Sequence, residues 1–255
     1  MRSGLLLVIA TALVGMPLNQ ASGQLKPEAP TGSHLQRKPT TAPAKDTRQI
    51  IAEFARCVVK RHRIEVAQLV LSGVSNPAGR KVADPDCLWD TMAKRDAAVA
   101  LSLPPTIFEY ALADVLVKDE FPKFDPSLIT TAGPIRQPVL NPTFFAPKPG
   151  KHYDPEELQE LERTKAKMLA GIAFSQFGEC VARADPVGSY ALLGTEPTSP
   201  AEGAAIQALM PAFSGCLDQG EQFDANRTNI RGIIAVNFYR LAHAPRVPPT
   251  SGAPK

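Results

Sequence analysis

Hydrophobic residues recur every three to four positions over two stretches of the chain, roughly 47–121 and 154–243, the spacing of one apolar helix face. In the second stretch the stripe Leu158, Leu161, Met168, Leu169, Ile172, Phe177, Cys180 and Val181 keeps helical period apart from Lys165 and Gln176. It is preceded by Asp154-Pro155-Glu156-Glu157, an N-cap with proline at the first helical position and an acid at the third. Asp185-Pro186 stops this helix and starts a short one reaching Leu193. Ser199-Pro200-Ala201-Glu202 repeats the start signal, Ile206, Leu209, Phe213, Cys216 and Leu217 follow, and Gly220 ends that run. A last helix carries Ile230, Ile233, Ile234, Phe238 and Leu241. In the first stretch Ile50, Ile51, Phe54, Cys57 and Val58 form the matching stripe. Only VALSL at 99–103 alternates as a short strand would.

The two stretches can be laid on one another. FARCV at 54–58 answers FGECV at 177–181, AQLV at 67–70 answers YALL at 190–193, Cys87-Leu88 answers Cys216-Leu217, and IFEYALADVL at 107–116 answers IRGIIAVNFY at 230–239. The shared order predicts an internal duplication: a mainly α fold of two tandem helical repeats, about four helices each. Phe-x-x-Cys puts ring and sulfur on one apolar helix face, so each cysteine points at a core. Four cysteines allow three connectivities. One bridge per repeat, Cys57–Cys87 and Cys180–Cys216, is the expected pairing, and a Cys57–Cys180 link would contradict it. Such loops contribute about 3–4 kcal/mol each in the chain-entropy model, which matters for a unit with a limited core.

Composition sharpens the boundaries. Residues 24–46 and 244–255 are proline-rich with almost no large apolar side chains, too little to offset ordering entropy, and are expected to be disordered tails. Residues 122–153 are also proline-rich but carry Val139, Leu140, Phe144 and Phe145; an extended connector laying these on the body is expected. The chain has a formal charge of +3, concentrated in the tails around a mildly acidic body. Aromatics are 6%, which argues against a sugar or base-stacking platform, and no nucleic-acid partner is expected.

The first residues, MRSGLLLVIATALVGMPLNQASGQ, show one cation, an apolar run over 5–14 and the small residues Ala21-Ser22-Gly23. That is the organisation of a secretory signal, with cleavage expected after Gly23. The run is short for a bilayer span, and no other segment is expected to cross a membrane. Export to the periplasm or beyond agrees with an even cysteine count read as disulfides.

Candidate chemistry is sparse. There is no G-x-S-x-G elbow, P-loop or G-x-G-x-x-G. The histidines, His34, His62, His152 and His243, include no H-x-x-x-H pair, so neither a metal nor a cofactor is expected. RCVVKRHRIE at 56–65 gathers Arg56, Lys60, Arg61, His62, Arg63 and Glu65 at an expected helix end. It reads as an anion-binding patch with His62 as acid or base, or as cations complementing a helix C-terminus. Asp114 and Asn237 hold equivalent positions on or beside the apolar faces of the two final helices; they line a shared cleft or make structural hydrogen bonds. Arg231 and Arg240 are expected on the surface, and Trp89 is expected to pack on the first disulfide.

The ordered set of F-x-x-C-V, C-L and the phrases YALADVLV and IRGIIAVNFYR resembles uncharacterised exported proteins of alphaproteobacteria. The resemblance covers 50–121 and 170–243 and implies no activity, cofactor or catalytic residue. The function expected from these readings is a non-enzymatic helical binding or structural module acting on an envelope protein or anionic envelope surface. The alternatives are a carrier for a small apolar ligand, or an enzyme with a scattered site around His62, Glu65 and Asp114.

Overall fold

The computed structural model describes residues 44–72, 82, 84–93, 104–146, 148, 150–217 and 226–247. The expected secretory signal, most of both expected tails, VALSL and Gly220 lie outside the described residues.

Among the described residues, the helices before the connector are α1 (Ala44–Ser72), α2 (Pro85–Ala93) and α3 (Pro105–Glu120). The connector holds a one-turn helix, α4 (Ser127–Thr130), and a 3-10 turn over Pro142–Phe144. The described helices after it are α5 (Pro155–Ala184), α6 (Pro186–Gly194), α7 (Pro200–Ala208), α8 (Met210–Gly215) and α9 (Arg227–Ala242). No strand forms among the described residues; Ala132 and Arg246 make one isolated bridge. α3 packs on α1 and α9, and α9 packs on α3 and α5. The core is built where these helices meet, from Phe54, Val58, Leu112, Leu116, Val181 and Phe238 among others.

The helix starts follow their sequence signals. Asp154 accepts from the Glu157 amide at 2.8 Å while the Glu157 side chain accepts from the Asp154 amide at 3.3 Å, a complete capping box. Asp185 accepts from the Gly188 amide and opens α6. Ser199 accepts from the Glu202 amide and opens α7. The run expected through Leu217 divides at Leu209, because Pro211 brings no N–H to the ladder and its ring crowds the preceding turn.

Both expected disulfides are present, Cys57–Cys87 and Cys180–Cys216, with Cα separations of 5.5 and 5.8 Å. Each ties a long helix to a later short segment. Positions 123 residues apart share burial across the halves: Phe54 and Phe177, Val58 and Val181, Leu69 and Leu192, Asp114 and Asn237. The backbone breaks at matching places too. His62, five residues after Cys57, has φ −131° and ψ 40° inside α1. Asp185, five residues after Cys180, has φ −139° and ψ 79° between α5 and α6.

Four expectations change. α1 does not end near residue 65 but bends at His62 and runs to Ser72, since Val66, Leu69 and Val70 bury a second apolar face. The stripe on α5 is core only from Phe177; Leu158, Met168 and Leu169 are exposed. α5 has 30 residues and its partner α9 only 16, so at about 1.5 Å per residue α5 overshoots. In the connector Val139 and Phe144 are exposed; Phe124 and Ile135 pack on the core, and Ile129 is within it. Trp89 is 73% exposed and does not pack on the disulfide, because its ring points off the free side of the two-turn α2.

Candidate functional site

Two groups of charged side chains stand out, one inside the molecule and one on its surface. The inner group rivets α3 to α9. Arg231 is 4% exposed; its Nε and Nη2 donate to Asp114 at 3.1 and 2.9 Å. The same guanidinium donates to the carbonyls of Leu192, Leu193 and Thr195 at 3.0, 2.9 and 2.8 Å, where α6 ends and carbonyls lack an intrahelical donor; Leu192 also accepts from Thr195, and Thr195 from Lys118. Nearby, Arg48 donates from both terminal nitrogens to Glu202 at 2.7 and 2.8 Å, and Glu202 also accepts from the Thr198 amide. Burial alone would raise the Glu202 carboxyl, but the hydrogen bond and charge of Arg48 hold it below the usual range.

The second rivet is Glu109 with Arg240, at 2.9 Å. Arg240 also donates to the carbonyl of Val70 at 2.7 Å, in the last turn of α1. Burial pushes the Glu109 carboxyl up to about 7 against the opposing Arg240 charge, and burial lowers Arg240 despite Glu109. Both arginines were expected on the surface; Arg231 is buried and Arg240 half-buried, because α3 presents an acid opposite each. The signal lay in the pair of helices: two acids on the apolar face of α3 and two arginines on that of α9. Read helix by helix, each looks like a solvated charge.

Asn237 donates to the carbonyl of Ile233 at 2.8 Å, and its buried Oδ1 accepts no hydrogen bond from the described residues. It sits where α5 meets α9: a Cβ at Gly178 would lie 2.7 Å from the Ile233 carbonyl and 2.8 Å from the Asn237 amide. Asp114 and Asn237 thus face different partners and line no shared cleft. The apolar cavity beside Asp114, lined by Ile51, Ile107, Tyr110 and Gly232 among others, holds about 50 Å³, space for a water or two.

The surface group is the basic segment of α1. His62 Nε2 lies 3.0 Å from Asp84, and Arg61 reaches Asp84 at 3.3 Å and Asp90 at 3.0 Å. Asp84 also accepts from the Asp86 amide at 2.9 Å, at the start of α2. The His62 hydrogen bond, above all, lowers the Asp84 carboxyl. Arg63 turns away to Glu120 at 3.3 Å. Glu120 also accepts from the Tyr239 hydroxyl and lies 3.1 Å from His243. Burial, reinforced by Glu120, raises the Tyr239 hydroxyl.

Arg56, Lys60 and Arg61 remain on an open cleft of about 840 Å³, with Glu53, Cys57, Asp90 and Thr91. Arg56 makes a long ion pair with Glu196 at 3.6 Å, and Lys60 is exposed. The structure therefore splits the sequence patch. Arg56, Lys60 and Arg61 share a cleft; Arg61, His62 and Arg63 fasten α1 to its neighbours; Glu65 is exposed; Asp114 and Asn237 are interior. Among the described residues no group of three or more histidine, cysteine or acidic side chains is placed to hold a metal, and no helix is long and apolar enough to cross a membrane. The chain matches no family model, no curated protein and no solved structure.

Proposed function

We propose that this chain is an exported, non-enzymatic helical binding module, built as a tandem duplication, that engages an acidic envelope component through the cleft beside Cys57–Cys87. The observation that carries the reading is the convergence of Arg56, Lys60 and Arg61 on one open, polar cleft. The cleft has the size of a ligand site and is mounted on a helix pair fixed by a covalent bridge. Its lining sets the cations Arg56, Lys60 and Arg61 against the acids Glu53 and Asp90, a net positive balance that suits carboxylate or phosphate groups. The matched burial and matched backbone breaks at a 123-residue spacing support the duplication. The leader pattern and the two bridges support export, because disulfides persist in oxidising compartments.

The roles of His62, Asp114 and Arg231 favour binding over catalysis. Each is engaged in a contact that holds helices together. Crosslinking followed by co-purification from the native envelope tests the reading, with wild type and an Arg56→Glu/Lys60→Glu variant run side by side. A recurrent acidic partner that the variant loses supports it. A partner captured equally by both, or none captured by either, contradicts it.

A further inference from the structure

Residues 155–171 of α5 contain no buried residue, although they form the continuous beginning of a 30-residue helix. They nevertheless carry a regular seam. Leu158, Leu161, Lys165, Met168 and Ile172 alternate three and four residues apart, the a/d spacing by which two helices pack side by side. Leu169 widens the seam. Leu158, Met168 and Leu169 are exposed. The described residues hold this segment only through its own helix and the turn before it: the Asp154–Glu157 capping box, the Lys151–Glu157 pair and the exposed pairs Arg163–Glu160 and Lys165–Glu162, the pairs each worth little in water.

Charge identifies the occupant. All four acids of the segment, Glu156, Glu157, Glu160 and Glu162, precede all three cations, Arg163, Lys165 and Lys167. The acidic end of such a helix matches the basic end of an identical one only when the two run antiparallel; a parallel pair sets like charges side by side. A two-fold axis between helices satisfies that arrangement.

We propose that residues 155–171 of α5 pair antiparallel with the same segment of a second copy of this chain. With the axis near residues 162 and 163, Leu158 lies over Met168 of the partner subunit. Leu161 lies over Lys165 of the partner subunit, whose alkyl stem covers the leucine while its ammonium stays at the rim. The single lysine in the seam weakens the pair and fixes its register. The contact is separate from the cleft at Cys57–Cys87, so a dimer presents two such clefts.

Sedimentation of the purified, disulfide-bonded protein tests the pairing over roughly 1–100 µM, where modest interfaces associate. The wild type should form dimers that weaken as salt rises. Leu161→Asp with Met168→Asp should raise the dissociation constant at least about tenfold with helicity unchanged, since neither side chain belongs to the core. Reversing the acids (Glu156→Lys, Glu157→Lys, Glu160→Lys) or the bases (Arg163→Glu, Lys165→Glu, Lys167→Glu) should each leave a monomer. Mixing the two variants should restore a heterodimer, which also shows that both are folded. A wild type that stays monomeric throughout, a dimer indifferent to these changes, or variants that fail to associate when mixed would overturn the proposal.

Discussion

The bend at His62 and the break at Asp185 do the same work by different chemistry. In the second half a proline and a side-chain cap announce the break: Pro186 brings no N–H, and Asp185 accepts from the Gly188 amide. In the first half the sequence reads KRHRI, with no proline or glycine. There the bend is held from outside, by Asp84 on His62 and Arg61, and Asp84 stands at the start of the helix whose Cys87 closes the bridge to Cys57. Both bends re-aim the chain so that Leu69-Val70 and Leu192-Leu193 reach the core. In both, an arginine from α9 takes up the matching carbonyl of the last turn: Arg240 that of Val70, Arg231 that of Leu193. A demand of the fold can thus be met by local sequence or by a tertiary contact, and only the first is visible in one-dimensional reading.

The two arginines allow the sharpest comparison. Arg231→Met removes the donor of the Leu193 carbonyl and leaves the buried Asp114 with only Lys118 at 3.6 Å, and should cost about 3–5 kcal/mol, read as a drop in denaturation midpoint. Arg240→Met strands Glu109, whose carboxyl already takes its proton near pH 7, so its cost should depend on pH. Glu109 is raised above its unfolded value of 4.5 to about 7, so it binds a proton more tightly folded than unfolded. Its contribution is full below about pH 4.5 and is lost as pH rises through about 7. Arg240→Met should therefore be better tolerated at pH 5 than at pH 8, and Glu109→Gln should flatten the wild-type decline across that window. Equal costs at both pH values for Arg240→Met would remove the distinction between the rivets.

The disulfides should be nearly equivalent. They close loops of 30 and 36 residues, for which chain entropy gives about 3.5–4 kcal/mol each. Cys57→Ser/Cys87→Ser and Cys180→Ser/Cys216→Ser should lower stability by similar amounts in urea melts. Only the first should loosen the Arg56–Lys60–Arg61 cleft, seen as faster amide exchange over residues 53–61. A smaller difference is expected at the helix crossings. Gly178→Ala forces a methyl against the Ile233 carbonyl and should cost about 1–3 kcal/mol. At the matching position Ala55→Gly should cost no more than about 1 kcal/mol. The smallest effect belongs to the overhang: in dilute protein below the dimer dissociation constant, where association adds nothing to stability, Leu161→Gln should change unfolding free energy by no more than about 0.5 kcal/mol, against about 3–5 kcal/mol for Phe54→Ala in the core.

Much of the fold was legible because its signals are local. The caps at Asp154, Asp185 and Ser199 mark the starts of α5, α6 and α7, and the repeated cysteine phrases pointed to the pairing of bridges. The unread features depend on what lies opposite. Periodicity showed that α5 has an apolar face, but not that α9 is too short to cover it. The burial of Arg231 and Arg240 required seeing Asp114 and Glu109 across the helix pair. The basic segment at 56–65 was visible as a cluster, yet its division into cleft and fastening residues is set by Asp84, Asp90 and Glu120, which come from other elements.

The most direct test of the binding reading is a titration of the isotope-labelled protein with a polyglutamate peptide, followed by amide NMR at low and high salt. The account predicts shifts concentrated at residues 53–61 and 87–91, suppressed by salt and abolished in Arg56→Glu/Lys60→Glu. Shifts spread over the surface, or confined to other helices and unaffected by the double substitution, would contradict it.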